Sequence, residues 1–594
     1  MTLYVANDFE IVKEKKSNNF YIFTVSPQDF LGAIGECSAL PDLSENTHGE
    51  FIKEFTDVSE KISLKNGGSI NKNLFPIVSK EVNRSVFFNI LKQLYALRDF
   101  LIGSRFVAGE NGEFFLFVPN IEVSEIVFGI LKAWGLAPVW LAKRKIGYCE
   151  KKMNSFRAAV KKIIYLLRLC GYSLFRSPAK PFDCLFVGMS NRSTIQRPER
   201  PDLIFGNLPA LGNQFGKRVC IFVHMLGDTT GLGTLNVCDG LEVVGYRSST
   251  NIVDVFLSFL SSLMTPFVVP NLDTLAGRYT KKLIEFDIWN SRLTVVSDAF
   301  FQKRAIVNLL KNSSAQTIVY PWEGNSWEQV CHQFRDAGLR TLGLQHGALL
   351  PKYLKMYAGS GGVKKPQPGL ILTSGPKAAE LLTSRFGHSS EYLCVGCDVR
   401  SGLQSDGEGN VSAPQKADRG SQALKVLVLL QGPIEHIDFH NGLARAFSFD
   451  SGRSYTLRPH PAEQIEATLM GSDLKLGGVV RVSNEKKLTN DIIEHDVVIY
   501  SGSTAVFEAL RLGIPVVHYG GEVGSGGDPL FGLDDTVIKR ARDWRSLLDM
   551  CDQAVHDINN DERLRGFLQS YASSYFVVPK LDELNRIARA VYAQ

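Results

Sequence analysis

The stretch DVVIYSGSTAVFEALRLGIPVV, residues 496–517, gives the clearest indication of the fold. It starts as a short apolar run typical of a buried strand, passes through Ser, Gly and Thr into a helical pattern, and ends in a second apolar run. A strand, a helix and another strand in so short a span form a βαβ unit, whose two strands must be parallel. The stretch therefore predicts a parallel sheet covered by helices.

The same alternation of apolar runs and helical patterns extends through most of the chain from about residue 113. The first series of runs lies at 113–120, 137–142, 182–188, 218–225, 241–246, 316–321 and 340–345, and the second at 391–396, 424–432, 454–461, 478–483, 496–503 and 514–521. Two successive series of this kind predict an α/β chain with two Rossmann-type sheets.

A polar segment separates the two series. Residues 401–423 are rich in Gly, Ser and Asp and almost lack large apolar side chains, so this segment cannot bury enough surface to order itself. We read it as an interdomain linker. The predicted division is an appended N-terminal region at 1–110, a first Rossmann-type domain at 111–396, a linker at 397–424 and a second Rossmann-type domain at 425–594.

Composition narrows the class of protein. The chain has 594 residues, 44% hydrophobic and 21% charged, and a net charge of +5, which gives no electrostatic support to a nucleic-acid partner. The ten cysteines are scattered, and the lone CxxC at Cys394 and Cys397 predicts buried thiols in a reducing cytoplasm rather than a metal site. The N-terminus lacks the pattern of a secretory signal, so the predicted location is cytoplasmic.

Two segments bear on whether the chain spans or contacts a membrane. Residues 251–270 are mostly apolar but carry Asp254 and Pro266, which predicts a buried helix rather than a membrane span. Residues 143–180 carry many Lys and Arg around an apolar helical stripe, with Glu150 as their single acidic residue. That segment fits an ordinary amphipathic helix, or a helix lying on the anionic inner face of the cytoplasmic membrane.

The run RPHP, 458–461, follows a predicted strand in the second series. Its two prolines stiffen the loop and hold His460 at the carboxyl edge of the sheet, where α/β proteins bind ligands. There His460 can donate a hydrogen bond to a phosphate, and Arg458 can neutralise its charge. The structural alternative is a histidine satisfied by backbone carbonyls.

The SGST run in the opening stretch is a second candidate for phosphate binding. Small hydroxyl residues and a glycine before a helix expose backbone N–H groups, which suit an anion. Simple capping of the helix by Ser503 would look the same locally. The candidate residues for donor binding here are Ser501, Gly502, Ser503, Thr504 and Glu508.

The first series has polar residues at two successive strand ends. One strand is followed by WEGNSWE and the next by QHG, and consecutive strands of an α/β sheet often lie side by side. Glu323 and His346 are therefore predicted to share one crevice as the catalytic candidates. The other candidates on the substrate side are Asn325, Glu328 and Gln345.

In order along the chain, QHG (345–347), RPHP (458–461) and the opening stretch resemble GT-B glycosyltransferases that use CMP-activated sugars. The runs LFVGMSNRS (185–193), IFGNLPALGNQFGKRVCIFVHML (204–226) and YPWEGNSWE (320–328) are similar to those of bacterial surface-carbohydrate proteins akin to Kdo and pseudaminic-acid transferases. The resemblance covers roughly residues 110–590.

The resemblance implies a GT-B-like fold, with two Rossmann-type domains facing a cleft. It also implies a retaining, metal-independent transferase without a cofactor, whose CMP-sugar is a co-substrate and whose acceptor is a glycan or glycolipid. It places His460, Ser501, Ser503 and Thr504 on the CMP phosphate, and Glu323 and His346 on the side of the sugar and acceptor. The Asp/Glu-Asp-Gly base element of sialyltransferases has no counterpart here.

Two alternatives stay open. CDP-glycerol-type polyol-phosphate transferases also carry an HG histidine, an RPHP-like histidine and a serine-rich strand end, and they too use a cytidine donor. A non-catalytic GT-B-like scaffold in envelope-polysaccharide assembly is the other, with the basic segment 143–180 as its working part. Binding of a donor nucleotide separates these alternatives.

Overall fold

A computed structural model gives the structure of the chain. It describes residues 2–6, 20–24, 94, 113–117, 121–133, 139–141, 148–175, 180–190, 195, 202–225, 232–265, 267, 269, 281–282, 284–285, 288, 292–311, 313–322, 326–350, 367–400, 424–430, 437–450, 452–459, 474, 479–483, 487–519, 527–541 and 543–593. Among them, no helix is long and apolar enough to cross a membrane. The predicted linker at 401–423 lies outside the described residues.

The N-terminal strands form a parallel sheet of four, in the order β2-β3-β1-β4. Its elements are β1 (Thr2–Ala6), β2 (Phe20–Thr24), β3 (Glu113–Phe117), helix α1 (Ile121–Ala133) and β4 (Val139–Leu141). The predicted boundary at residue 110 therefore needs correction, because β3 and β4 pair with β1 rather than with the strands that follow. An apolar run predicts a strand, but its partner depends on packing distant in sequence.

An eight-stranded sheet comes next, in the order β12-β11-β10-β9-β5-β6-β8-β7. Neighbours are parallel except β7 and β8, which are antiparallel. The strands are β5 (Cys184–Ser190), β6 (Val219–Met225), β7 (Thr234–Cys238), β8 (Leu241–Val244), β9 (Thr317–Pro321), β10 (Arg340–Leu344), β11 (Leu370–Thr373) and β12 (Leu393–Val395). The strand order reverses direction between β5 and β9, which makes that point the topological switch of this sheet.

Helices cover this sheet. They are α2 (Tyr148–Leu169), α3 (Tyr246–Ser249), α4 (Ile252–Met264), α5 (Ser297–Leu310), α6 (Ser326–His332) and α7 (Pro376–Ser384). The predicted basic helix is α2, within residues 143–180. The prediction of a buried helix over 251–270 is wrong for one face of α4, where Phe256 and Met264 are 54% and 70% exposed. Sequence periodicity could not show this, because α4 has apolar residues on both faces.

The third sheet has six parallel strands in the order β15-β14-β13-β16-β17-β18. The strands are β13 (Leu424–Leu429), β14 (Arg453–Arg458), β15 (Val480–Val482), β16 (Val497–Tyr500), β17 (Val516–Tyr519) and β18 (Lys539–Ala541). The helices are α8 (Ile437–Phe449), α9 (Leu488–Glu494), α10 (Val506–Arg511), α11 (Trp544–Asn560), α12 (Glu562–Tyr575) and α13 (Leu581–Tyr592). Its switch point lies between β13 and β16. The prediction of an α/β chain with two Rossmann-type sheets is confirmed, but the run 391–396 forms β12 of the eight-stranded sheet instead of opening the second series.

The last helix returns to the eight-stranded sheet. Leu584, Ile587 and Val591 of α13 are buried in one core cluster with Phe186 of β5. The hydroxyl of Tyr592 donates a hydrogen bond to the backbone oxygen of Leu208 at 2.8 Å. Residues 581–592 therefore pack with the eight-stranded sheet, although the predicted second domain, 425–594, included them.

One buried cluster joins the two larger sheets. Trp322 and Leu349, which follow strands of the eight-stranded sheet, belong to the same apolar cluster as Tyr500, Phe507 and Tyr575. Trp322 is 4% exposed and meets the ring of His388 edge-on at 5.5 Å between ring centroids. The large aromatic residue at this strand end thus has a structural explanation, as part of the junction between the sheets.

Candidate functional site

Three loops leave the six-stranded sheet side by side at its switch point and next to it. Leu429, at the end of β13, is paired in register with Tyr500, at the end of β16. On its other side β13 neighbours β14, and the backbone N–H of Leu430 donates to the oxygen of Arg458 at 2.9 Å. The loops after β13, β14 and β16 therefore leave the sheet at one edge, the edge at which open parallel sheets bind ligands.

The SGST loop begins at this edge. Ser501 is fully buried, whereas Gly502, Ser503 and Thr504 are partly exposed. The hydroxyl of Ser503 accepts a hydrogen bond from the N–H of Ala505 at 3.3 Å, which stabilises the turn towards α10. Because α10 has six residues, a phosphate here would rely on the hydroxyl and N–H groups of the loop more than on a helix dipole.

Glu508 has a structural partner. Its carboxylate accepts a hydrogen bond from the hydroxyl of Thr489, in α9. This contact ties α10 to α9 on the flank of the sheet. The predicted role of Glu508 in donor binding receives no support from this geometry.

Arg458 is likewise engaged within the protein. Its guanidinium donates to the carboxylate of Asp491 at 2.7 Å and to the hydroxyl of Ser483 at 3.2 Å. The Ser483 hydroxyl donates in turn to Asp491. The side chains of Arg458 and Asp491 are 17% and 4% exposed. The positive charge of Arg458, which was predicted to neutralise a phosphate, therefore compensates the buried carboxylate of Asp491.

Replacing Arg458 with methionine tests this assignment. The change leaves Asp491 buried without its counter-charge, so we expect the free energy of unfolding to fall by about 1–3 kcal/mol. CMP affinity should change by less than about threefold, since the guanidinium is committed to Asp491. Urea denaturation and calorimetric titration measure the two quantities. A large loss of CMP affinity with unchanged stability would instead restore the phosphate-binding interpretation.

Three of the predicted site residues, Glu323, Asn325 and His460, lie outside the described residues. The strands that precede them along the chain are described. β9 ends directly before Trp322, at the switch point of the eight-stranded sheet, and β14 ends at Arg458, beside the switch point of the six-stranded sheet.

Gln345 is a scaffold residue of the eight-stranded sheet. It is 2% exposed, and its side-chain oxygen accepts a hydrogen bond from the N–H of Ser374 at 2.8 Å. Its side-chain nitrogen donates to the backbone oxygen of Gly347. Gln345 thus joins the loops that follow β10 and β11, and both ends of its amide are used inside the protein rather than on the substrate side.

The QHG loop meets the SGST loop. His346 is 8% exposed, and two residues further on the N–H of Ala348 donates to the hydroxyl of Thr504 at 3.4 Å. The next N–H, of Leu349, donates to the hydroxyl of Tyr575 at 2.8 Å. The carboxyl edges of the two larger sheets are therefore adjacent at this point. The structure brings together two of the motifs that the sequence singled out.

Glu328 lies in the core. It is fully buried in the first turn of α6, behind β9. Burial, and after it the negative charge of Glu328, raises the pKa of the nearby Cys331 thiol well above its usual value. Next to them, the hydroxyl of Tyr320 and the ring nitrogen Nδ1 of His332 are hydrogen-bonded at 2.5 Å. Glu328 therefore belongs to a buried polar cluster rather than to the predicted substrate side.

The two cysteines of the CxxC pair are not joined by a disulfide. Cys394 and Cys397 are both free, the first partly exposed and the second buried. Burial raises the pKa of Cys397 to about 12, which keeps it protonated and unreactive near neutral pH. No group of His, Cys, Asp and Glu side chains in the described ranges has the arrangement of metal ligands.

Sequence reasoning missed His440. It is the fourth residue of α8, the helix that follows β13 after the switch point, and it is fully buried. Neither ring nitrogen has a hydrogen-bond partner among the described residues. Burial lowers its pKa to about 4, so the ring is neutral near pH 7. Side chains lean towards the N-terminus of a helix, here towards the carboxyl edge of the sheet.

The sequence contained a signal for His440. Its segment IEHIDFH follows the strand LKVLVLL after a short loop that contains Gly432 and Pro433. A histidine one turn into the helix after a switch-point strand is placed as a ligand contact would be. The two unpartnered nitrogens became visible only in the folded chain.

No protein-family model matches the chain, and no curated protein sequence matches it significantly. Solved structures do show partial similarity. The glycosyltransferase SnogD from Streptomyces nogalater matches with a TM-score of 0.37 and 15% identity, over 69% of this chain and 99% of that chain. A putative UDP-N-acetylglucosamine 2-epimerase from Listeria monocytogenes matches with a TM-score of 0.35 and 11% identity, over 70% and 96%.

A variant of the wall teichoic acid polymerase TagF matches with a TM-score of 0.33 and 10% identity, over 74% of this chain and 97% of that chain. These TM-scores and identities are too low to carry an argument about activity. Any assignment of function must rest on the residues and contacts of the chain itself.

Proposed function

We propose that the protein is a GT-B-like glycosyltransferase that moves a nonulosonic-acid-type sugar, of the Kdo, pseudaminic or sialic kind, from a CMP donor to an acceptor. The observation that carries the proposal is the hydrogen bond from Ala348 to Thr504. It places the QHG loop of one sheet against the SGST loop at the switch point of the other. Two chemically distinct loops that meet at facing carboxyl edges suit a donor and an acceptor.

The donor phosphate is assigned to the six-stranded sheet. The loop hydroxyls of Ser503 and Thr504 and the N–H of Gly502 are the proposed contacts, together with His460. His440 is a further proposed contact on this side, since it is buried at the same edge with both ring nitrogens unpartnered within the described chain. Arg458, Gln345, Glu328 and Glu508 are left out because each has a structural role.

The proposed reaction exchanges one C–O bond for another. The bond between the anomeric carbon and a phosphate oxygen breaks, and CMP leaves with the electron pair. The acceptor hydroxyl oxygen bonds to the anomeric carbon on the face from which CMP leaves, which retains the configuration, and loses its proton to a base, for which Glu323 is the candidate. Donors at the phosphate stabilise the charge that develops on the leaving group, and His346 lies on the side of the sugar and acceptor. The donor is a co-substrate, and the proposal includes no cofactor or metal and expects retention at the anomeric carbon.

Isothermal titration of the full chain with CMP, CDP and UDP tests the proposal. CMP is expected to bind best, and His460→Ala should weaken it by about 10–100-fold through loss of a charge-assisted hydrogen bond. Thr504→Val should weaken it less, because it removes one hydroxyl but keeps the side-chain shape. Arg458→Met serves as the control for a nearby basic residue outside the site.

The other outcomes discriminate the alternatives. Tighter binding of CDP than of CMP would favour a polyol-phosphate transferase, and the absence of binding by all three nucleotides would favour a non-catalytic scaffold. CMP binding would justify incubation with a series of CMP-sugars and glycolipid acceptors. A surface-polysaccharide or glycolipid acceptor, met at the inner face of the cytoplasmic membrane, is part of the proposal.

A further inference from the structure

The helix α4 has apolar side chains on both faces, which is unusual for a helix at the protein surface. Towards the protein it buries Val255 and Phe259, and between them Ser258 and Ser262, whose hydroxyls donate to backbone oxygens. Towards solvent it presents large apolar side chains. Those at least 38% exposed are Val253, Phe256, Leu257, Leu260, Leu263 and Met264. A contiguous apolar surface of this kind on a folded protein marks an interaction site.

The helix is firmly held, so its exposed face is a property of the fold. At its start, the Asn251 side chain accepts from the N–H of Asp254, whose carboxylate accepts from the N–H of Asn251, both at 3.0 Å. Asn308 of α5 donates to the same carboxylate at 3.3 Å. At its end, Arg292 donates to the backbone oxygen of Thr265 at 3.0 Å. Both ends are thus fixed to the body of the protein.

The turn after α2 continues the apolar surface. Tyr172, Leu174 and Phe175 are 57%, 63% and 82% exposed. The N–H of Ile252 donates to the oxygen of Ser173 at 3.0 Å, and the side chain of Asn251 donates to the oxygen of Leu174 at 3.2 Å. These contacts fix the turn beside the start of α4. Together the outer side of α4 and residues 172–175 form one surface, named here the apolar face.

Basic residues border the apolar face. Arg168 of α2, four residues before Tyr172, is exposed, and so is Arg247, whose side chain packs against Gly171. Within α4 the only charged residue is Asp254, which is buried, so the outer side of the helix carries no carboxylate. An apolar surface with a basic border complements an anionic bilayer, whereas a second copy of the chain would bring the same positive charges together.

We propose that the apolar face inserts into the headgroup region of an anionic lipid bilayer. The helix would lie in the plane of the membrane, with its large side chains in the acyl boundary and the basic residues at the phosphates. The apolar face belongs to the helices that cover the eight-stranded sheet, and its contact with lipid does not depend on the proposed reaction. It reassigns the lipid contact from the basic segment alone to α4 and the turn at 172–175.

Co-sedimentation of the full chain with vesicles tests the proposal. Vesicles of phosphatidylcholine with phosphatidylglycerol are compared with vesicles of phosphatidylcholine alone. We expect binding to the anionic vesicles, and a loss of at least about tenfold in the double variant Phe256→Ser, Leu260→Ser, because burial of apolar area drives insertion. The control is Phe449→Ser, an apolar residue 76% exposed on α8, which should bind as the wild type does.

Two further measurements keep the test decisive. The variants should keep the wild-type unfolding temperature and CMP affinity, so a loss of vesicle binding would reflect neither misfolding nor a failed nucleotide site. Equal binding of the double variant and the wild type would overturn the proposal. A wild-type dimer in sedimentation velocity that the double variant converts to a monomer would also overturn it, by showing that the face binds a second copy.

Discussion

The Phe507→Ala variant is expected to unfold with a free energy about 3–5 kcal/mol lower than the wild type. Phe507 is 1% exposed at the junction of the two larger sheets. Its ring centroid lies 4.3 Å from that of Tyr575 and 5.0 Å from that of Phe576. Alanine would leave a cavity that α10 and α12 cannot close, because α10 packs on β16 and β17 and α12 is held by α7 and α11.

The same substitution tests whether the two sheets unfold together. The buried cluster around Phe507 includes Trp322 and Leu349, which follow strands of the eight-stranded sheet. Loss of packing should therefore destabilise the eight-stranded and the six-stranded sheet together. Urea denaturation followed by tryptophan fluorescence and by circular dichroism measures the change. Phe567→Ala is the control, since Phe567 is 49% exposed on α12, and its effect should stay within about 1 kcal/mol. A loss below about 1 kcal/mol for Phe507→Ala would contradict the described junction.

Replacing His440 with leucine is expected to stabilise the protein and to weaken CMP binding. Each unpartnered buried polar group costs about 1–3 kcal/mol, and a leucine of similar volume has none. We expect the free energy of unfolding at pH 7 to rise by about 1–3 kcal/mol, and CMP affinity to fall by about tenfold if the ring contacts the donor. A destabilised variant would mean that the ring nitrogens have partners that leucine cannot replace.

The burial of His440 should also make the free energy of unfolding depend on pH. Its pKa is about 4 in the folded chain, below its ordinary value of about 6.5 in the unfolded chain. Between these values the unfolded state binds a proton that the folded state does not, so stability falls as pH falls from about 6.5 towards 4. The loss from this one group reaches about 3 kcal/mol.

Urea midpoints at pH 7, 5 and 4 check this pH dependence. The His440→Leu variant should lose less stability on acidification than the wild type does. It keeps some acid sensitivity, because burial also lowers the pKa of His224, to about 3. The control is His556→Leu, a change at an exposed histidine of α11 that faces Asp557 at the surface, and it should alter the profile much less than His440→Leu does. Parallel profiles for wild type and His440→Leu would contradict the buried, neutral state of His440.

The strand-and-helix order could be predicted from sequence because it depends on local periodicity. The run 496–517 folds as β16, α10 and β17, in the order that its pattern indicates. The strands β1, β2, β7, β11 and β18 were not predicted, and each has five residues or fewer. Which sheet a strand joins was not predictable either, as β3 shows, since pairing depends on contacts between residues far apart in sequence.

Local periodicity indicates that the chain is α/β, where most of its parallel strands lie, and which polar residues follow them. What those residues do depends on tertiary contacts. Arg458 faces Asp491, 33 positions away, and Gln345 faces Ser374, so their charge and hydrogen bonds are used within the protein. Tertiary packing also leaves six large apolar side chains of α4 exposed and brings Thr504 to the QHG loop. The physical reason is that periodicity reports neighbours along a helix or strand, whereas burial and hydrogen-bond partners depend on segments brought together by the whole fold.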